Sequence, residues 1–248
     1  MKKIKIILVL FFLCSSAFVL QAQSLDEILQ AHSEVMGFEK LMQVKTIIIE
    51  GESYFGERSM PFKTIIKKPS KYYTERDFMG RKMLQVLDGE IAWSTSPRDE
   101  GIRAITGPQL EMLKETADYG GILMNWKEKD HKVSLEGTED FEGTEVYKLK
   151  VEKSNAQITY VYLDAESYIT LKETTDRKIQ ENVVKATVLY SNYKMIDGIA
   201  VAFNTETVSD GQGGGRGGRM MGGGNTIIKS IEFNKEVDDS IFKKTNTK

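Results

Sequence analysis

The 248 residues carry 34 basic and 36 acidic side chains. Lys2, Lys3 and Lys5 lie in a leader-like segment, and without them 31 basic residues face 36 acidic ones, a net charge of −5. That mild acidity argues against a nucleic-acid partner. The single cysteine, Cys14, lies in the same segment, so the remaining chain holds no disulfide and relies on a packed core.

The chain opens with the three parts of a secretory signal: the basic start, the apolar run Ile6–Leu13 extended by Phe18–Leu20, and the small residue Ala22. The unbroken apolar run is short for a membrane span. Leu13 stands where a lipoprotein signal carries a small residue, which argues against lipidation at Cys14. These features predict a cleaved signal over residues 1–22, a periplasmic protein, and a single mature domain over residues 23–248.

Ser24 followed by Glu27 is a capping box. Leu25, Ile28, Leu29, His32, Val35 and Met36 then recur at helical spacing, with Gly37 as the stop and one more short turn over Phe38–Met42. From Lys45 the period changes from 3.6 to 2. Strands are expected at Lys45–Ser53, Pro61–Lys67, Lys71–Met79, Lys82–Leu87 and Glu90–Thr95, separated by turns such as Met79-Gly80 and Asp88-Gly89. Gly107-Pro108 opens a second helix running to about Asp118, followed by an irregular apolar cluster, Ile122, Leu123, Met124 and Trp126. Strands resume at His131–Glu136, Thr144–Lys153, Gln157–Leu163, Tyr168–Asp176, Val183–Ser191, Ile199–Val208 and Thr226–Phe233. Residues 211–224 hold nine glycines in fourteen and read as a mobile hairpin loop. About 11–12 strands without intervening helices describe a mainly β, meandering antiparallel sheet.

Catalytic signatures are scarce. His32 and His131 are the only histidines and lack metal-ligand spacing. His32 reads as a packed helix-face residue and His131 as a solvated strand start. There is no Gly-x-Ser-x-Gly elbow. The carboxylates Glu136, Glu139, Asp140, Glu142 and Glu145 interleave with Gly137 and Gly143 and read as exposed hairpin turns. These absences argue for a non-enzymatic protein that needs no cofactor or metal. Many strands carry one apolar face, as in Phe62-Thr64-Ile66, Leu84-Val86, Ile91-Trp93, Tyr147-Leu149-Val151 and Ile199-Val201-Phe203. A curved sheet of this size either fills its interior with side chains or leaves a cavity.

The residues Met36-Gly37-Phe38-Glu39-Lys40-Leu41, Leu87-Asp88-Gly89-Glu90 before Ala92-Trp93, Tyr162-Leu163-Asp164-Ala165-Glu166, and Tyr190-Ser191-Asn192-Tyr193 leading to Asp197-Gly198-Ile199 resemble the outer-membrane lipoprotein-sorting family with the LolA-like or LolB-like fold. The resemblance implies an open, incomplete β-barrel with an N-terminal helix and a helical lid, whose concave face holds lipid or lipoprotein acyl chains. On that basis the expected pocket residues are Phe62, Leu84, Trp93, Tyr147 and Phe203, closed over by Leu110, Leu113 and Trp126. Val201-Ala202-Phe203 departs from the family pattern, which often has proline before the phenylalanine. Two other classes compete: an envelope module that binds a protein partner with the same fold, and a hydrolase with an unfamiliar site.

Overall fold

The computed structural model describes residues 23–56, 58–96, 101–179, 182–209 and 223–244. The expected signal and residues 211–222 of the glycine run lie outside the described residues. Two helices, α1 (Leu25–Met36) and α2 (Phe38–Gln43), precede six strands: β1 (Thr46–Phe55), β2 (Arg58–Lys67), β3 (Lys71–Phe78), β4 (Arg81–Asp88), β5 (Ile91–Thr95) and β6 (Ile102–Ile105). Helix α3 (Pro108–Ala117) follows. Seven more strands complete the sheet: β7 (Lys132–Phe141), β8 (Thr144–Glu152), β9 (Ile158–Asp164), β10 (Thr170–Ile179), β11 (Asn182–Ile196), β12 (Ile199–Ser209) and β13 (Gly223–Phe233). A short 3-10 turn, Asp239–Phe242, comes last.

Local chemistry sets these boundaries. Ser24 Oγ accepts from the Glu27 amide at 3.3 Å, and the Glu27 carboxylate accepts from the Ser24 amide at 2.8 Å. This reciprocal cap satisfies two amides that α1 leaves open. Gly37 ends α1 at φ +70°, and a β-carbon there would lie 2.2 Å from the Gly198 carbonyl oxygen. Only glycine lets the α1–α2 corner sit against the β11–β12 turn. The pairs Met79-Gly80, Glu142-Gly143 and Asp197-Gly198 are two-residue hairpin loops with both residues at positive φ. That geometry matches the twist of the flanking strands.

All thirteen strands form one antiparallel sheet in the order β6-β5-β4-β3-β2-β1-β13-β12-β11-β10-β9-β8-β7. The order is the chain order of a ring opened between β6 and β7. It depends on β1 pairing with β13, which sets Ile47 opposite Phe233 and Ile49 opposite Ile231. The sheet is not closed into a barrel. Helix α3 belongs to the connection across the opening and is tied to both sides. Lys114 Nζ lies 2.7 Å from Glu90 in the β4–β5 turn, and Glu115 accepts from Lys153, just past β8, at 2.9 Å.

One face of the sheet carries the larger core. Ile47, Ile49, Ile66, Leu149, Val151, Val161, Leu163, Val201 and Phe203 pack there with Ile28 of α1, Phe38 and Leu41 of α2, Leu113 of α3, and Leu123 and Met124 beyond it. The other face carries a smaller cluster of Ile65, Val86, Trp93 and Phe242. Asp239 secures that C-terminal turn by accepting from Lys67 at 2.5 Å and Lys71 at 3.2 Å.

The open antiparallel sheet with an N-terminal helix agrees with the sequence reading, with four local differences. β6 adds a thirteenth strand. β7 runs on to Phe141, so Gly137 sits in a bulge of the β7–β8 ladder and only Gly143 of the two glycines makes the hairpin turn. β11 continues past Ser191 in unbroken register with β12, Ser191 opposite Asn204 and Tyr193 opposite Ala202, although Asn192 between them has a φ of 55°. Gly223 and Gly224 belong to β13, paired with Val208 and Thr207, so the glycine run ends two residues sooner than expected.

Candidate functional site

The concave side of the sheet is roofed by α1, α2 and residues 119–131, and three adjoining clefts follow this roof. The first, of about 250 Å³, is lined by His32, Met36 and Phe38 below the helices, by Tyr119 and Ile122 of the roof, and by Glu173, Tyr190, Tyr193, Val201 and Ile228 of the sheet. The second, of about 230 Å³, shares His32, Phe38 and Leu123 with it and is bordered by Trp126. The third, of about 440 Å³, shares Glu173, Gly121 and Ile122 with the first and has a polar rim that includes Lys114, Lys129, His131 and Lys153.

The expected pocket residues separate into two groups. Phe62, Leu110, Leu113, Tyr147 and Phe203 pack in the larger core, behind and beside the clefts. Trp126 borders the second cleft. Leu84 and Trp93 belong to the cluster on the opposite face, against Phe242. They are not brought together with the others, because β4 and β5 turn Leu87 and Ala92 toward the larger core and Leu84, Val86 and Trp93 away from it. Tyr147 stacks on Tyr168 with ring centres 6.0 Å apart, and both phenols donate to Gln23 Oε1, at 2.6 and 2.9 Å.

Glu173 and Tyr119 of the first cleft were not singled out by the sequence reading. Glu173 lies on β10 opposite Val188 of β11 and Val161 of β9, so its side chain shares the concave face with these apolar residues. Burial raises its carboxyl above the usual carboxylate range, partly countered by a hydrogen bond from Tyr190 and by the charge of Lys153. Burial likewise raises the phenols of Tyr119, Tyr190 and Tyr193. Tyr193 donates to the Thr170 carbonyl at 2.7 Å. The available signal was faint: Lys172-Glu173-Thr174-Thr175 is polar at every position, which hides which face is enclosed.

His32 is buried, as its place on the helix stripe suggested. Its Nδ1 lies 2.7 Å from the Tyr168 carbonyl oxygen. A carbonyl can only accept, so Nδ1 carries the proton and Nε2 is bare in the neutral ring. Burial lowers the imidazole to about 4, against the smaller opposing effect of that hydrogen bond. The ring meets Phe38 edge to face at 5.2 Å. His131 differs from expectation: it is half-buried, and its Nδ1 lies 3.2 Å from the Ile122 carbonyl, pinning the roof. Lys129 adds to this by donating to the Gly121 carbonyl at 2.7 Å and pairing with Asp118 at 2.5 Å. Among the described residues no cluster of three or more His, Cys, Asp or Glu side chains is placed to hold a metal ion. Among them, too, no helix is long and apolar enough to cross a membrane.

The fold is similar to that of several solved bacterial proteins. A DUF1329 family protein from Desulfovibrio piger superposes with a TM-score of 0.58 at 14% identity, covering 87% of this chain and 97% of its own. A LolA superfamily protein from Nitrosomonas europaea gives 0.58 at 14% identity, covering 90% of this chain and 99% of that one. A candidate outer membrane lipoprotein-sorting protein domain from Vibrio parahaemolyticus gives 0.53 at 14% identity, with 85% and 97% covered. At this identity the likeness concerns the fold alone. No protein-family model matches the sequence, and no curated protein matches it significantly.

Proposed function

We propose that this protein is an exported, periplasmic, non-enzymatic binding protein, a single domain over residues 23–248, whose roofed concave face holds an acyl chain of a lipid or lipoprotein. The observation that carries the reading is the first cleft, an apolar trough between α1, the roof and β12. Its walls of Met36, Phe38, Ile122, Val201 and Ile228 suit a hydrocarbon chain. Each methylene moved from water into such a trough contributes about 0.8 kcal/mol, which must offset the entropic cost of docking and of ordering the chain. In this reading Phe62, Leu110, Leu113, Tyr147 and Phe203 form the packed bed that holds the trough in shape, and Trp126 flanks its neighbour. Leu84 and Trp93 have no part in it.

The fold's likeness to proteins of the lipoprotein-sorting type supports the reading, as does the leader-like start of the chain. The test is native mass spectrometry with lipid extraction on protein purified from its own envelope, alongside titration of a fluorescent acyl probe. Val201→Phe, which enlarges a side chain lining the trough, is expected to weaken the probe at least tenfold while the fold persists. A wild-type protein that neither carries lipid nor binds the probe would favour the alternative, a module that docks an envelope protein.

A further inference from the structure

The wall that the first and third clefts share includes the carboxyl group of Glu173, and an acyl chain alone has no use for it. Glu173, Tyr190 and Tyr193 line the first cleft together, and Tyr190 is near enough to Glu173 to lower its carboxyl against the effect of burial. Tyr119 of the roof borders the same space. The three lysines on the rim of the third cleft are already paired. Lys114 meets Glu90 and Glu111, Lys129 meets Asp118, and Lys153 meets Glu115 and Gln157. Glu173 is thus a half-buried acid among phenol rings, beside an apolar trough, and Lys153, whose charge reaches it, is shared with Glu115 and Gln157.

We propose that Glu173, with Tyr119, Tyr190 and Tyr193 around it, is a head-group site for an amphiphile whose polar end is an ammonium, the alkyl part lying along Val201 and Ile228. This deepens the acyl-chain reading and rests on it. An ammonium supplies the positive charge the carboxylate lacks, and three hydrogen-bond donors besides. Aromatic rings also attract cations to their faces, more so where water is displaced. An alkyl alcohol gains none of the ion pairing. An alkyl carboxylate brings a second acid beside Glu173 where Lys153 is already shared with Glu115 and Gln157, and like charges close together disfavour each other.

The experiment titrates the purified protein with three twelve-carbon probes below their micelle concentrations: dodecylamine, dodecanol and laurate. Wild-type protein and Glu173→Gln are compared by calorimetry, with a thermal melt to check folding. Loss of a charge-assisted hydrogen bond predicts that Glu173→Gln binds dodecylamine roughly 10- to 100-fold more weakly, with dodecanol affinity unchanged. Wild type is expected to rank amine above alcohol above carboxylate, and that ranking decides the matter even if the variant fails to fold. Equal dodecylamine affinity in both proteins, or laurate binding wild type as tightly as the amine, would overturn the head-group site while dodecanol binding left the acyl trough standing. If none of the three binds, both readings fall.

Discussion

Replacing Phe242 with alanine tests the division of labour between the two faces of the sheet. The ring is 1% exposed and packs with Ile65, Val86 and Trp93. Lys71 Nζ stands 5.4 Å from its centre. Truncating a buried phenylalanine to alanine costs about 3–5 kcal/mol. The neighbouring pairs of exposed Asp239 with half-buried Lys67 and Lys71 lie at the surface, where ion pairs contribute little, so they cannot hold the turn once the ring is gone. The Asp239–Phe242 turn is a short segment outside the sheet and can undock as a unit, which caps the loss at the free energy of undocking. For a protein of this size each kcal/mol moves Tm by about 2–4 °C, so Phe242→Ala is expected to melt about 6–20 °C lower. Circular dichroism gives the Tm, and Trp93 emission should shift to the red as its cover leaves. Acyl-probe affinity well below the melt should be unchanged, because the cleft lies on the other face. A Tm within about 2 °C of wild type would refute the claim that this turn seals the second cluster. A lost probe affinity with an intact fold would refute the separation of faces.

Two further outcomes follow from the α1–α2 corner. His32 is neutral in the folded protein, with its imidazole lowered by burial from an ordinary 6.5 to about 4. The unfolded chain therefore takes up a proton that the native state refuses, and stability present above pH 6.5 is lost as the pH falls toward 4. The contribution is about 3 kcal/mol at most. His32→Gln should flatten that slope in denaturant melts at stepped pH; an unchanged slope would rule out this histidine as its source. Gly37→Ala should cost at least about 2 kcal/mol, from the left-handed backbone and the collision with the Gly198 carbonyl. Gly198→Ala should cost less, since an added β-carbon there meets the movable end of Lys40; urea melts of the pair that came out in the reverse order would contradict this packing.

Helix α1 was legible down to its cap because capping is local: Ser24 and Glu27 are three residues apart. The hairpins were legible for the same reason, their loops being two residues long. β6 was not, since Ile102–Ile105 is four residues with little alternation and exists as a strand by pairing with β5. The candidate site was only half legible. Strand β4 reads Arg-Lys-Met-Leu-Gln-Val-Leu-Asp, apolar at Leu84 and Val86 on one face and at Met83 and Leu87 on the other. Nothing local says that the C-terminal turn covers the first pair. Glu173 was invisible for the converse reason, a polar side chain in a polar stretch that the fold encloses.

By itself, then, the order of residues determined the period of each segment, the caps and tight turns, and hence an antiparallel meander with one helix ahead of it. Those properties depend on neighbours within a few positions. The tertiary structure decided which of two equivalent faces became the inside, because alternation defines two faces without ranking them. It also decided that Ile47 meets Phe233 across most of the chain, and that an acid on β10 and a tyrosine of the roof share one wall. Contacts of that sequence separation are selected by the burial of the whole sheet at once.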